Sequence, residues 1–333
     1  MRRTLVFRAD AGPEIGLGHF MRSLAVAEML KEDFPMVFFT TSPSEFQVRE
    51  MSAIVDQWYP LAGDNSHFDE FLGRLQGDEV VILDNYFFDT EYQRKIRGKG
   101  CLLVCIDDLA DRHFVADAVI NHAGGIRPED YSCEAYTRLF LGMKYAMLRS
   151  VFRGGAGALD RKSDQVLISL GGSIQDDLLF RLLNALADTS AALRYHVAGI
   201  VSEELAASFR NDHRFEFLGR LDSLAMHEEM ARSAVGLFPA STLALEAISS
   251  RLPSIVGYTA VNQKYLYKGL MEGRVVSAMG DLREIDADEL ARALVFLWQD
   301  GWARQRLEEA MNQAMDTETP GRFRDLFKTL VHE

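Results

Sequence analysis

The sequence predicts an α/β protein made of two doubly wound domains, each around a parallel sheet. Three observations carry that expectation. Short, uninterrupted apolar runs alternate with amphipathic stretches along most of the 333 residues, as expected for strands buried on both faces by helices. The alternating series occurs twice. Residues 152–164, rich in glycine and charge and without an apolar period, stand between the two series.

In the first half, TLVF (4–7), MVFFT (36–40), VVILD (80–84), LLVCI (102–106) and AVIN (118–121) read as strands. Helical patterns lie between several of them, including 19–32 and 88–97. In the second half the strands are QVLISL (165–170), RYHVAG (194–199), FEFLG (215–219), VGLF (235–238) and SIVGY (254–258). Helices near 176–188, 203–210, 222–232 and 242–250 separate them. The tail from 286 is helical, and Pro320 starts a last amphipathic helix. The expected organisation is one domain over 1–153, a second over 163–316 and a final helix over 319–333, in keeping with about 150 residues per domain. Ligands of open α/β sheets bind at the carboxyl ends of the strands, so the residues just after strands are the candidates for function.

Composition narrows the classes. Thirty-six Lys and Arg against 49 Asp and Glu give a net charge of −13, which argues against a nucleic-acid partner. A small anion remains a suitable ligand, because a helix N-terminus binds one without net positive charge. The three cysteines are irregularly spaced. Cys101 and Cys105 share a strand and lie too far apart to bridge, which points to a reducing cytoplasm. The N-terminal apolar run is broken by Arg8 and Asp10 and is not expected to be a signal peptide. No apolar stretch approaches the ~18 residues of a membrane span.

Four stretches carry candidate chemistry. GLGHFM (16–21) resembles the start of a dinucleotide-binding turn, but Met21 replaces the third glycine and FFTTS ends the next strand without an acid. Gly16 and Gly18 still permit a tight turn. His19, at the start of a helix, suits a general base that the positive helix end keeps neutral, or it simply bonds the turn. In LFPASTLALEAISS, Ser241 and Thr242 open a helix and either bind a diphosphate or cap the helix. Glu246 lies beyond a capping box and has no cation one turn before it, so it is a candidate for gripping ribose hydroxyls. Gly171 and Gly172 in SLGGS follow a strand and allow close approach by a phosphate or sugar. Asp107 and Asp108 end another strand and would serve a metal, a sugar or a solvated turn. His113 and Asp117 stand at helical spacing without further ligands, and no recognised metal-binding pattern occurs.

The stretches FRADAGPEIGLGHFMRSLAVA, LDNYFFD, IDDLADR, LGMKYAMLRSVF, SLGGS and ASTLALEAISSRLPSIVGYTAVNQ together resemble the UDP-2,4-diacetamido-2,4,6-trideoxy-β-L-altropyranose hydrolases of pseudaminic-acid biosynthesis. These belong to the two-domain GT-B superfamily beside the MurG-like glycosyltransferases. The resemblance runs over about residues 4 to 275, with GLGH and LGMKYAMLR its most specific parts. It implies two Rossmann-like domains around an interdomain cleft, and metal-independent, cofactor-free hydrolysis of a UDP-sugar. His19 matches the base that activates water against C1, and Asn262 the residue that helps position that water. Gly18, Tyr86, Asn121 and Gln263 match substrate-side positions. Gly171, Gly172 and Ser173 match the loop facing the nucleotide sugar. Ser241 and Thr242 match the diphosphate-binding helix start, and Glu246 the ribose carboxylate. The alternatives are a glycosyltransferase of the same fold and a non-catalytic nucleotide-sugar-binding subunit.

Overall fold

The computed structural model describes residues 3–12, 15–154, 164–171 and 176–332. The chain forms two compact units. The first comprises Met1–Ser150 with Glu318–Glu333, and the second Val151–Thr317. Of the stretch expected to separate two domains, 155–163 lies outside the described residues.

The first unit holds β1 (Leu5–Ala9), β2 (Met36–Thr41), β3 (Gln57–Leu61), β4 (Val80–Asp84), β5 (Leu102–Ile106), β6 (His113–Phe114), β7 (Ala118–Asn121), β8 (Ser132–Cys133) and β9 (Arg138–Leu141). Seven of these make one parallel sheet in the order β3-β2-β1-β4-β5-β7-β9, while β6 and β8 pair separately. Alternation along β1 sends Leu5, Phe7 and Ala9 into one core and Val6 into the other. The helix Gly18–Leu30 covers the first face with Phe20, Leu24 and Ala27. The last helix, Thr319–His332, completes the same core with Phe323, Leu326, Phe327 and Leu330. Thr319 fixes its start by donating to the Lys144 carbonyl at 3.2 Å, and Lys328 meets Asp33 at 2.8 Å.

The second unit holds β10 (Gln165–Ile168), β11 (Arg194–Ala198), β12 (Phe215–Gly219), β13 (Val235–Pro239), β14 (Ser254–Tyr258) and β15 (Ser277–Asp281), all parallel in the order β12-β11-β10-β13-β14-β15. Its core packs Ile168, Leu179, Leu183, Tyr195 and Leu237 against Leu290 and Leu294 from the helix Ala287–Gln299.

The apolar runs coincide with strands, and five strands go beyond them: the short pair β6 and β8, and three at the edges of the large sheets. β3 is an edge strand with three exposed residues and Pro60, which only an edge tolerates. β9 and β15 are also edges, half-buried throughout, so neither shows a continuous apolar run. The spacing of His113 and Asp117 is not helical. His113 lies on β6 and contacts Ser132 and Glu134, while Asp117 accepts from the Leu103 amide and pairs with Arg97. The three cysteines are free thiols. No helix among the described residues is long and apolar enough to cross a membrane.

Candidate functional site

Each sheet reverses its direction of winding at one place, and ligands of doubly wound sheets bind there. In the first unit this is the seam of β1 and β4, where Ala9 and Asp84 are register partners. The chain leaves β1 through a glycine-rich loop. Gly16 has φ +75°, a conformation that needs glycine, and it exchanges backbone hydrogen bonds with Gly12. A Cβ on Gly18 would meet nothing within 4 Å. The helix then begins, with His19 as its second residue.

His19 is only 4 % exposed, and its Nδ1 lies 2.7 Å from Oδ1 of Asp84, the last residue of β4. Arg22, one turn further along the helix, grips Asp84 with two bonds, Nε to Oδ2 at 2.7 Å and Nη2 to Oδ1 at 2.6 Å. Its Nη1 donates to Asp108 at 2.7 Å. Ser23 adds a hydroxyl donor to Asp84 at 3.1 Å. Burial alone would push the Asp84 carboxyl up, but Arg22 and His19 more than offset it and hold it below the usual carboxylate range. An ionised carboxylate accepts only. Nδ1 therefore carries a proton in this bond, so the neutral tautomer that Asp84 selects is the one with its lone pair on Nε2. Arg22 Nη2, 3.0 Å from Nδ1, is a second donor converging on the same oxygen. No described residue hydrogen-bonds Nε2.

Tyr86 follows β4 and stands edge-on to His19, ring centroids 4.4 Å apart at 83°. Its hydroxyl donates to Asp108 Oδ2 at 3.1 Å. A small pocket of about 20 Å³ is lined by His19, Arg22, Asn85, Tyr86 and Asp107 among others. Asp107 and Asp108 are both 8 % exposed, so they are not a solvated turn. Burial and the neighbouring Asp108 charge push the Asp107 carboxyl up. Asp107 accepts from the Ala110 amide and the Tyr131 hydroxyl, each at 2.9 Å. Among the described residues, no group of three or more His, Cys, Asp or Glu is placed to hold a metal.

Asn121, expected on the substrate side, lies on the same unit. It ends β7 fully buried, where its oxygen accepts from the Ala123 amide at 2.8 Å and its nitrogen donates to Tyr131 at 2.9 Å. Its amide closes a turn and steadies the partner of Asp107.

In the second unit the seam is β10 with β13. Gly171 follows β10 at φ +99°, so glycine is required there. Gly172 and Ser173 lie outside the described residues. Ser241 is the N-cap of the helix Thr242–Ser249 and accepts from the Leu243 amide at 3.3 Å, so capping is one of its roles. Glu246 is half-buried and already engaged with a neighbour, so the lack of a cation one turn away does not leave it idle. Asn262, also engaged, lies in the short turn after β14. Gln263 uses its oxygen to accept from the Thr259 amide at 2.8 Å. His19, Gly18, Tyr86 and Asn121 thus gather on the first unit, and Gly171, Ser241, Thr242, Glu246, Asn262 and Gln263 on the second.

Sequence reading missed Arg22, Asp84 and His122. For Arg22 and Asp84 the signal was a charge inside or at the end of an otherwise apolar run, which is unfavourable unless paired. Arg8 and Asp10 follow the same rule. Arg8 is fully buried, bonded to Asp10 and 3.1 Å from His67 Nδ1. Asp10 in turn accepts from the Thr41 amide at 2.7 Å, tying the glycine loop to β2.

His122 gives the site a pH dependence. It is 4 % exposed and its Nδ1 has no partner among the described residues. Burial and the Arg22 charge lower its pKa to about 4. The unfolded chain takes up this proton near pH ~6.5 and the folded chain only near pH 4, so stability falls as pH drops through that window. Between about pH 7 and pH 4.5, denaturant unfolding of the wild type should lose about 2–3 kcal/mol more than that of His122→Gln. Equal losses in both proteins would exclude His122 as the source.

No family model matches the chain. It is 29 % identical over 187 residues to the spore coat polysaccharide biosynthesis protein SpsG of Bacillus subtilis, a match covering 53 % of each chain. It is 24 % identical over 194 residues to the UDP-2,4-diacetamido-2,4,6-trideoxy-β-L-altropyranose hydrolase of Campylobacter jejuni, covering 56 % of this chain and 66 % of that one. Each of these matches spans less than two thirds of the relative's own length. Among solved structures, MurG of Acinetobacter baumannii superposes with a TM-score of 0.66 at 14 % identity, over 99 % of this chain and 100 % of that one. The calicheamicin glycosyltransferase CalG4 gives 0.65 at 14 %, over 100 % and 99 %. LpCGTa, solved with UDP, gives 0.68 at 11 %, over 99 % of each. At these identities the superpositions speak to the fold alone. Two parallel, Rossmann-like sheets and these likenesses together make the chain a GT-B-fold protein, distantly related to SpsG and to the diacetamido-sugar hydrolase.

Proposed function

We propose that this protein hydrolyses a UDP-linked 2,4-diacetamido-2,4,6-trideoxyhexose at its anomeric C–O bond, releasing UDP and free sugar for a nonulosonate of the pseudaminic-acid type. One observation carries the reading: His19, held by ionised Asp84 in the tautomer that frees Nε2, at the winding reversal of the first sheet. In this reading Nε2 takes a proton from water as the water oxygen bonds C1. The C1–O bond to the diphosphate breaks, and its electron pair leaves with UDP. Asp84 stabilises the imidazolium that forms, as the carboxylate of a catalytic triad does. The nucleotide belongs to the second unit. Ser241 and Thr242 offer hydroxyl and backbone donors to the diphosphate, and Gly171 lets the backbone approach. Glu246 takes the ribose hydroxyls. Asn262, with Gln263 beside it, orients the water. No metal is needed, and one in-line displacement inverts C1.

The distant relation to the Campylobacter jejuni hydrolase supports the substrate class. The likeness to a glycosyltransferase such as CalG4 favours a second reading, in which an acceptor hydroxyl replaces water at the same base. Incubating a panel of UDP-sugars in ¹⁸O-water without acceptor tests both. The expected products are free sugar labelled at C1, first as the inverted anomer, and unlabelled UDP. Label in UDP would mean attack at phosphorus. Turnover only after an acceptor is added would establish the transferase.

A further inference from the structure

The imidazole proposed as the base is nearly closed off. His19 is 4 % exposed although it is the second residue of its helix. What stands over it is Tyr86, edge-on at 4.4 Å and itself 38 % exposed. The ring cannot swing freely, because its hydroxyl is tied to Asp108 at 3.1 Å, and Asp108 is tied to Arg22 at 2.7 Å. Arg22 is anchored in turn by two bonds to Asp84, the residue that holds His19. Base and cover are thus set by one buried network. The pocket beside them has about 20 Å³, and one water needs ~10–15 Å³ of such space. It also offers that water a donor, since Asn85 lines the pocket and its Nδ2 is buried with no partner among the described residues.

We propose that Tyr86 is a specificity-determining residue: its tethered ring admits water to His19 and keeps alcohol acceptors out, which makes the protein a hydrolase and not a transferase. This rests on the reading of His19 as the base. The chemistry is the same for either nucleophile. The incoming oxygen bonds C1, its proton goes to Nε2, and UDP departs with the electron pair. Water then gives the free sugar, and methanol gives the methyl glycoside. Only the room at the imidazole distinguishes them.

Two measurements test the filter. In the first, wild type, Tyr86→Phe and Tyr86→Ala turn over a UDP-sugar in buffer containing methanol at molar concentration, and the ratio of methyl glycoside to free sugar is read by NMR. The wild type should give free sugar. Tyr86→Ala should raise the ratio by about 10–200-fold, the range a site achieves against one extra carbon. Tyr86→Phe should keep the wild-type ratio whatever its rate, because the ring remains. The second measurement needs no turnover, so it stands even if the hydrolase reading fails. Diethyl pyrocarbonate acylates accessible imidazoles, and mass spectrometry gives the rate at each histidine. His19 should react far more slowly than exposed His213 in the wild type and in Tyr86→Phe, and comparably to it in Tyr86→Ala. Fast labelling of His19 in the wild type, or a Phe variant that behaves like the Ala variant in either assay, would overturn the proposal.

Discussion

His19→Ala lowers turnover of the UDP-sugar by about 10²–10⁴-fold, the scale of a positioned acid–base group, and leaves UDP affinity unchanged. The two halves of that result have separate causes. In the proposed mechanism turnover depends on Nε2 of the tautomer that Asp84 selects. UDP is assigned to residues of the second unit, none of which the substitution alters. Stopped assays with purified variant give the rate, and calorimetry with UDP gives the affinity. Asp84→Asn makes the companion case. It keeps the shape but offers no full charge to fix the tautomer or to stabilise the imidazolium, so it should follow His19→Ala in turnover. Near wild-type turnover in His19→Ala would remove this residue from the mechanism.

Arg22→Met destabilises the first unit by about 3–5 kcal/mol, the penalty for breaking a buried ion pair from one side. Met fills most of the volume and removes the charge. Asp84 then loses two short bonds, Asp108 loses one, and both remain buried. Hydrogen exchange of the β1 and β4 amides reports this unit separately, as a chain of two units need not unfold in one step. Arg22→Lys should fall between, since a lysine restores the charge but not the two-pronged grip on Asp84. If Arg22→Met costs less than about 1 kcal/mol, the range of an exposed pair, the network does not hold this end of the sheet together.

The parts of the fold that the sequence revealed are those whose residues face one environment along their whole length. VVILD is buried at every position, and its run of apolar residues says so. QWYPL and SAMGD lie at sheet edges, where half the surface meets solvent and the hydrogen bonds alone define the strand, and composition does not record hydrogen bonds. The amphipathy of the last helix was legible as well, but not the unit it joins, because an apolar stripe does not name its partner. The candidate site was legible through its glycines and through His19, whose local setting is unusual. Arg22 was not. A single arginine on a helix ordinarily faces solvent, and only the folded chain brings Asp84 and Asp108, 62 and 86 residues away, against it.

The helix Thr319–His332 lies against the helix that carries His19, and it is translated after all of Val151–Thr317. During synthesis the first sheet and its loops emerge early, yet the apolar stripe destined to meet Phe323, Leu326, Phe327 and Leu330 waits uncovered until the second unit has been made. The half that carries the proposed base is therefore the last to be finished, although it is the first to appear. A nascent or nicked chain lacking those residues exposes a sticky surface on the unit holding the proposed base, which invites chaperones or aggregation. Pulse proteolysis of ribosome-bound chains stalled before and after that helix would show the protected state of residues 5–41 arriving only with the longer chain.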